Sequence, residues 1–522
     1  MNDLMDPISQ ETNGPQAGGE RKREAVSRRV KRGFVWSQIG GILDYGFYLV
    51  FAVLIARAIG VREFGFYGTI VSYASLGLIL TGLGLDRATI VRGAPLAENK
   101  LGMMKCLMRR FIAVRLGAGV FVATVLFVLA GPLMSYLLQP RVGYLLSWMG
   151  PYIVSMGLTS LLMAYFSARM DLRNPKIAKA LVQLINVAGA GWIYKNGGSA
   201  GVVLFLLSVT SILTMLTLGW MSRSIFSGQE EKVDFVPVRL FCKSQTAMEI
   251  VTFITGKNAD IILLNILLAG TIQVGFYNVS SALVLAISTM LIAGVGDIAL
   301  TATSVMANKG EPDQLRRAWR FSVKSGVLLT VPYMVFAFGI APAIVATFLD
   351  RTYLPAAEVF RIAVMGQILV SILGGGSHAN ILLSSDRHEA LRNIRVVMGF
   401  ANIVFNLLLI PRWGAAGAAG ATAIAAVGRV FWEYREVEKL QRFPLPGRAI
   451  ISMTAASIVA TLIVVWFPFS RWVYLLTSGL GFTAVFVLLA WILKPYDEED
   501  APVIRRAGYP FDGLARFICR NS

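Results

Sequence analysis

The sequence predicts an all-α polytopic membrane protein, and three observations carry that expectation: long apolar blocks, sparse charge, and basic residues that alternate between the blocks. Of 522 residues, 56% are hydrophobic and only 15% charged, against roughly 25% charged in a soluble domain. Blocks of about 20 apolar residues match the thickness of a bilayer and have no place in a soluble core. The net charge of +19 does not mark a nucleic-acid binder, which gathers Lys and Arg on one face of a soluble module. Here the charges flank apolar spans.

Residues 1–32 form a polar, basic tail, expected to be cytoplasmic and disordered, with seven Lys and Arg between Arg21 and Arg32. The first apolar block lacks a small-x-small cleavage pattern and reads as a retained helix. Spans are expected near 34–57, 66–91, 111–137, 143–168, 176–194, 200–222, 244–268, 275–306, 319–348, 356–384, 391–410, 414–434, 448–468 and 472–493, about fourteen in all. With the N-terminus inside, about 38 Lys and Arg fall in cytoplasmic segments and about 8 in external loops, with Arg87, Arg115 and Lys257 inside spans. A miscounted helix would invert the alternation downstream, so the bias predicts an even number of spans and two cytoplasmic termini. Cys106, Cys242 and Cys519 then lie in reducing surroundings, and neither they nor His378 and His388 form a disulfide or metal pattern. No metal and no cofactor is expected.

The chain repeats itself. Gly60, Gly65, Phe66 and Tyr67 recur as Gly270, Gly275, Phe276 and Tyr277 at an offset of 210, and Asn186, Gly198 and Gly201 recur as Asn402, Gly414 and Gly417 at 216. Two matches at nearly equal offsets favour duplication over chance likeness of Gly-rich turns. Six spans per copy is an even number, so the copies share one orientation and an axis along the membrane normal, with a substrate cavity between them. The expected division is a six-helix lobe over 33–230, a second over 231–440, two added helices over 441–493 and a cytoplasmic tail over 494–522.

Three segments resemble a known family: Ile55-Ala-Arg57-Ala-Ile-Gly60 with Phe64-Gly65-Phe66-Tyr67, Leu83-Gly-Leu-Asp86-Arg87-Ala-Thr-Ile-Val-Arg92, and Asn406-Leu-Leu-Leu-Ile-Pro411-Arg412-Trp413-Gly414-Ala-Ala-Gly417-Ala. They are similar to the Wzx-like polysaccharide flippases (O-antigen and exopolysaccharide exporters) of the multidrug/oligosaccharidyl-lipid/polysaccharide transporter superfamily, over nearly the whole chain from Arg32 to Leu493. The resemblance implies a two-lobed helical fold in a bacterial inner membrane and alternating access. The implied substrate is an isoprenoid-pyrophosphate-linked oligosaccharide moved from the cytoplasmic to the outer leaflet for lipopolysaccharide or exopolysaccharide synthesis. Membrane lipids, a polysaccharide polymerase and other assembly proteins are the implied partners, with no nucleic acid among them.

Ionisable groups inside spans are costly and mark functional candidates. They are Asp44 in span one, Asp86 and Arg87 in span two, Arg115 in span three, Glu249, Lys257 and Asp260 in span seven, and Asp297 in span eight. A pyrophosphate calls for forked or point cations, so Arg87, Arg115 and Lys257 are the expected substrate-binding residues, Arg87 first. Snorkelling to the interface is the competing role for Arg87 and Arg115. Asp44, Asp86, Glu249, Asp260 and Asp297 are the candidates for coupling or gating. On one continuous helix Asp260 lies about 20° and Lys257 about 80° from Glu249, giving either a titratable wall that binds a coupling cation or a self-neutralising Lys257–Asp260 pair. Asp44 shares a polar stripe with Ser37 and Tyr48. Gly374-Gly375-Gly376, Pro332 and Pro342 are candidate hinges or static kinks. An inside-negative potential favours outward movement of an anion by about 2.3 kcal/mol per charge per 100 mV, so an ion gradient is allowed but not required.

Three other readings compete. A cation-coupled multidrug exporter shares the superfamily but favours acidic cavity groups. A membrane polymerase, ligase or glycosyltransferase needs an extramembrane catalytic segment, and the external loops expected here are short. A non-transporting scaffold would not need buried charge. The tail, with Asp497-Glu498-Glu499-Asp500 followed by Arg505 and Arg506, docks a partner, rests on anionic lipid, or stays solvated. Under the 210-residue offset Arg87 falls on Asp297, which predicts opposite charges meeting when the cytoplasmic mouth closes. Each single variant, Arg87→Asp or Asp297→Arg, should lose transport and the double swap should restore it; absence of rescue in a flipping assay counts against the pairing.

Overall fold

The computed structural model describes residues 16–137, 140–227, 229, 231–268, 270–292, 312–385, 387–440, 443–465, 471–497 and 500. Within them every regular element is helical: α1 Gln16–Gly82, α2 Leu85–Asn99, α3 Leu101–Leu137, α4 Pro140–Ser147, α5 Gly150–Ala168, α6 Arg173–Asn196, α7 Ala200–Met221, α8 Val236–Ile254, α9 Lys257–Leu268, α10 Thr271–Ile292, α11 Pro312–Gly339, α12 Ala341–Phe348, α13 Ala356–Ile372, α14 Ser377–Ser384, α15 His388–Leu440, α16 Gly447–Val465 and α17 Arg471–Leu493. Nine helices among the described residues are long and apolar enough to cross a membrane, or eleven if each of two bent pairs is one span. The all-helical, multi-pass class expected from composition is thus realised. The nine include α15 as a single helix although it folds back at Gly414, and do not include α1, which folds at Gly60.

Breaks in the helices, more than their lengths, decide where side chains meet. Gly60 (φ 75°, ψ 169°) and Gly414 (φ 56°, ψ −130°) take backbone angles that an L-residue resists, so α1 and α15 reverse there. Span two is interrupted at Leu83-Gly84, span nine at Ile340, and span ten at Gly374-Gly375-Gly376, where Gly374 and Gly376 both have positive φ. The last break leaves α13 and α14 bent by 49°, and a second, at Thr255-Gly256, bends α8 against α9 by 54°. Residues 16–32, expected as part of a disordered tail, form the first turns of α1; Arg, Lys, Glu and Ala are good helix formers, and an apolar span directly follows to propagate the helix. Cys106 and Cys242 are free thiols; Cys519 and Asp297 lie outside the described residues.

The helices pack as two groups. In the first, α1 lies along α6, and α5 lies between α3 and α7; in the second, α15 packs on α8, α9, α13 and α14. One core runs through both, from Phe51 and Ile55 of α1 to Val359 and Phe360 of α13. α1 against α10 is the main contact between the groups. One face of the bundle carries the reversals at Gly60 and Gly414 and is called the hinge face. The opposite face, where Lys105 and Arg109 donate to the backbone carbonyls of Ser227 and Ile225, is the basic face. α16 and α17 cover α11 through Ala460, Phe482 and Phe486.

The start of the C-terminal tail is docked. Lys324 of α11, only 2% exposed, donates to Asp497 and Asp500 at 2.6 Å each, and the ring of buried Tyr496 lies 5.8 Å from its ammonium. Partial burial pushes the Asp497 carboxyl up, but the hydrogen bond and charge of Lys324, with the charges of Arg320 and Arg448, outweigh it and hold the carboxyl below its ordinary value. A depressed carboxyl stabilises the docked state above the unfolded value and loses that contribution as pH falls through the folded one. The denaturation midpoint of the wild type should therefore exceed that of Asp497→Asn at pH 7, and the gap should close below about pH 4. Removing both carboxylates (Asp497→Asn with Asp500→Asn) leaves a buried ammonium unpaired and should cost about 3–5 kcal/mol at pH 7.

Candidate functional site

The duplicated Gly-x4-Gly-Phe-Tyr motif is where the two helix groups touch on the hinge face. A Cβ added to Gly65 of α1 would overlap the Thr271 carbonyl, and one added to Gly275 of α10 would overlap the Val61 carbonyl. Val61 and Thr271 are themselves separated by the repeat offset, so each glycine meets the residue four positions before its counterpart. One turn on, a Cβ at Gly68 would lie 2.8 Å from Asn278 Nδ2, and 68 and 278 are again equivalent positions. This reciprocity is a local two-fold relation, and only hydrogen side chains let the backbones approach so closely. Around the seam Tyr353 donates its hydroxyl to the Ala56 carbonyl at 2.9 Å and Arg57 donates to the Thr347 carbonyl at 3.4 Å.

On the basic face the same two groups meet through charge. The break at Leu83-Gly84 brings α2 against α8, so that a Cβ on Gly84 would lie 2.6 Å from the Cys242 carbonyl oxygen. Glu249 of α8 accepts a hydrogen bond from the Gly84 N–H, which places a carboxylate at the start of α2, where helix dipole and free N–H groups favour it. Arg115 of α3, 4% exposed, lies 3.7 Å from Asp86. It donates to Ser160 Oγ at 3.0 Å, and Ser160 donates in turn to Asp86 at 2.8 Å. Arg115 Nε and Nη1 have no hydrogen-bond partner among the described residues. A side chain at Gly82 would wedge between Arg115 Nη1 and Glu249 Oε2. Arg115 thus pairs with Asp86 of its own group and faces Glu249 of the other across the Gly82 backbone, without an ion pair to Glu249 among the described residues. Arg87 is exposed and contributes its charge to Glu249.

Between these faces lie two polar centres. Asp260 of α9 is fully buried and accepts four hydrogen bonds: from Tyr277 (2.5 Å) and Thr422 (2.6 Å) on Oδ2, and from Asn402 (3.1 Å) and Asn406 (2.8 Å) on Oδ1. No cation is bonded to it among the described residues. Lys257 instead donates across the groups, to Tyr48 of α1 (3.2 Å) and to Asn278 (3.4 Å), and Ser72 donates to Asn258 at 3.3 Å beside it. Asp44 accepts from Lys176 (3.3 Å) and Lys179 (2.9 Å) of α6.

Two expectations are corrected by this geometry. Lys257 and Asp260 do not form an i,i+3 pair, and Glu249 does not share their flank. The bend at Thr255-Gly256 separates Glu249 on α8 from Lys257 and Asp260 on α9, and on α9 itself Lys257 turns to Tyr48 and Asn278 while Asp260 is satisfied by four neutral donors. Asp44 and Tyr48 serve different partners rather than one stripe. Other charges inside the bundle were missed as candidates: buried Lys324 and Glu433, and the partly buried Lys176, Lys179, Arg395 and Arg429. Arg395, Arg429 and Glu433 stand within the spans expected at 391–410 and 414–434, and that position was the available signal.

A family model described as "Polysaccharide biosynthesis protein" matches residues 54–358, more than half of the chain. No curated protein matches significantly. Among solved structures, the chain is similar to "Lipid II flippase MurJ, inward closed conformation", with 15% identity, 88% of this chain and 98% of that chain covered, and a TM-score of 0.67. It is also similar to an inward-facing multidrug resistance MATE family transporter of the MOP superfamily (11% identity, 76% and 95% covered, TM-score 0.60) and to a MATE protein in the bent conformation (13%, 80% and 96%, 0.54). Identities this low establish the fold, of MurJ/MATE type.

The hinge-face seam carries a test. Gly65→Val or Gly275→Val should prevent the backbones from closing. In a cysteine-free background, Thr271→Cys, buried in the closed seam, should then react several-fold faster with a membrane-impermeant maleimide than it does with both glycines in place.

Proposed function

Because the chain belongs to the polysaccharide biosynthesis protein family, we propose that it is a flippase that moves an isoprenoid-pyrophosphate-linked oligosaccharide from the cytoplasmic to the outer leaflet by alternating access. The observation that supports this reading most directly is the pair of closures between the same two helix groups. A close backbone seam at Gly65 and Gly275 lies on one face, and a charge cluster of Asp86, Arg115 and Glu249, in which Arg115 pairs with Asp86, lies on the other. A transporter that exposes its cavity to one side at a time needs two such contacts and must break them in turn. With the basic face cytoplasmic, the charge cluster stands where an anionic headgroup would arrive. Arg115 has unpaired donors buried beside two carboxylates. A pyrophosphate offered to those donors would compete with Asp86 and Glu249, so that substrate entry itself loosens the closure. Arg87, exposed at the same mouth, makes first contact, and Lys257 receives the group deeper in.

Nothing covalent changes in this process, so the protein acts as a transporter and not as an enzyme. Asp260 is the coupling candidate: a buried carboxylate held by four neutral donors can change its occupancy by a proton or small cation without unpairing a salt bridge. The same acid favours a second reading, a cation-coupled multidrug exporter, since the fold is shared with MATE transporters.

Cells lacking the protein decide between them. Mass spectrometry of membrane lipid extracts should show a complete pyrophosphate-linked repeat unit accumulating while surface polymer is lost. Normal levels of both, with a redundant transporter excluded, overturn the flippase reading and leave the drug exporter. In complemented cells Asp260→Asn should reduce surface polymer by at least about tenfold while protein abundance in the membrane stays at the wild-type level.

A further inference from the structure

Away from both closures, α8 and the two limbs of α15 enclose a cavity of about 320 Å³. Its polar lining is basic. Arg395 comes from the first limb of α15 and Arg429 from the second, with Thr252 and Thr255 opposite on α8 and small residues, Ala425 and Ala426, leaving the space open. Arg429 lies 3.3 Å from Glu433, which is 0% exposed and whose second oxygen has no partner among the described residues. Arg395 interacts favourably with Glu433 and unfavourably with Arg429, and no hydrogen bond from its guanidinium is formed among the described residues. Arg429 is thus paired with Glu433, while Arg395 faces the cavity with no ion pair among the described residues. Asn402 and Thr422 also line the cavity and donate to Asp260 behind them, so that acid does not reach the guanidinium groups directly.

We infer that this cavity is a second binding site, for the phosphate of a membrane lipid. Forked donors on two facing helices suit an oxyanion, which can take parallel N–H bonds from each guanidinium. The volume is at the small end of ligand pockets, enough for a phosphate or pyrophosphate with its ester linkage and too small for an oligosaccharide. The ligand is lipid-borne because the same stretches of α8 and α15 present Ile250, Val397, Ile424 and Phe431 with 41%, 46%, 49% and 52% of their surface exposed, apolar area that a membrane protein turns to hydrocarbon. The site goes beyond the flippase reading, since a bulk phospholipid and the isoprenoid carrier offer the same chemistry.

Binding to the full chain, purified in a non-ionic detergent, tests it by calorimetry with three probes: farnesyl pyrophosphate, dihexanoyl phosphatidylglycerol and inorganic pyrophosphate. At least one lipid probe should bind, and Arg395→Gln with Arg429→Gln should weaken it at least about tenfold. Ala426→Phe, which fills the chamber without touching charge, should do the same, and Arg395→Lys should fall between because it keeps charge and loses the fork. Farnesyl pyrophosphate binding more tightly than the phospholipid identifies the isoprenoid carrier, and equal affinities identify bulk lipid. Inorganic pyrophosphate binding as tightly as both lipids overturns the lipid-borne assignment. Unchanged lipid binding in both the double variant and Ala426→Phe, or no binding of any lipid probe to the wild type, overturns the site. The readout needs no transport, so a chain that binds here yet flips nothing keeps this site and loses the flippase reading.

Discussion

The approach of two backbones at Gly65 and Gly275 is the constraint on which the rest of the structure depends. Two helices that cross with carbonyls in each other's Cβ positions have no room for adjustment. Once α1 and α10 are locked there, the opposite ends of the two helix groups can differ in separation only by pivoting about this seam. The buried aromatic residues that follow each glycine, Phe66 and Tyr67 in one group and Phe276 and Tyr277 in the other, fill the space behind the crossing. The duplicated motif is therefore an interface element as well as a relic of repetition, because each copy supplies both a glycine and the carbonyl that the other copy's glycine receives.

The second organising feature is the use of helix breaks to place charge. An unbroken helix carries a polar group on one azimuth with its neighbours at fixed angles. Interrupting span two at Gly84 turns Asp86 toward Arg115 and presents free N–H groups to Glu249. Interrupting span seven at Gly256 sends Glu249 to the basic face while Asp260 turns inward among amide and hydroxyl donors. In both cases the break lies beside a charge that would be expensive to bury on a straight helix; at Gly84 a released backbone N–H helps to satisfy Glu249, whereas Asp260 is satisfied by side chains alone.

Much of this was legible in the amino-acid order. Apolar blocks and the alternation of basic residues announce a multi-pass helical bundle, and matching glycines at an offset of 210 single out the positions that meet across the seam. Asp86, Arg115, Glu249 and Asp260 stand out simply as ionisable groups in apolar surroundings. What the order of residues hides is pairing. Lys257 and Asp260 look like partners on a helical wheel, but the wheel shows no neighbouring helices: Tyr48 and Asn278 take the lysine and four neutral donors take the acid, while the bend of 54° moves Glu249 off their flank. Lys176, Lys324, Arg395 and Arg429 look like surface charges because span ends carry basic residues on every membrane protein; only three-dimensional neighbours, Asp44, the docked tail and Glu433, distinguish a buried end from a solvated one.

Asp260 and its donors also record how the two copies diverged. Tyr277 and Asn402 have counterparts at the repeat offsets, Tyr67 and Asn186, but Asp260 itself corresponds to Val50. In the first group Asn186 is occupied by Thr210 and Gln183. The ancestral scaffold of tyrosine and asparagine survives in both halves, whereas the acid is present in one. A symmetric ancestor would have carried the same group in both halves; here the buried acid at this position belongs to one half alone, so the sequence itself distinguishes the two.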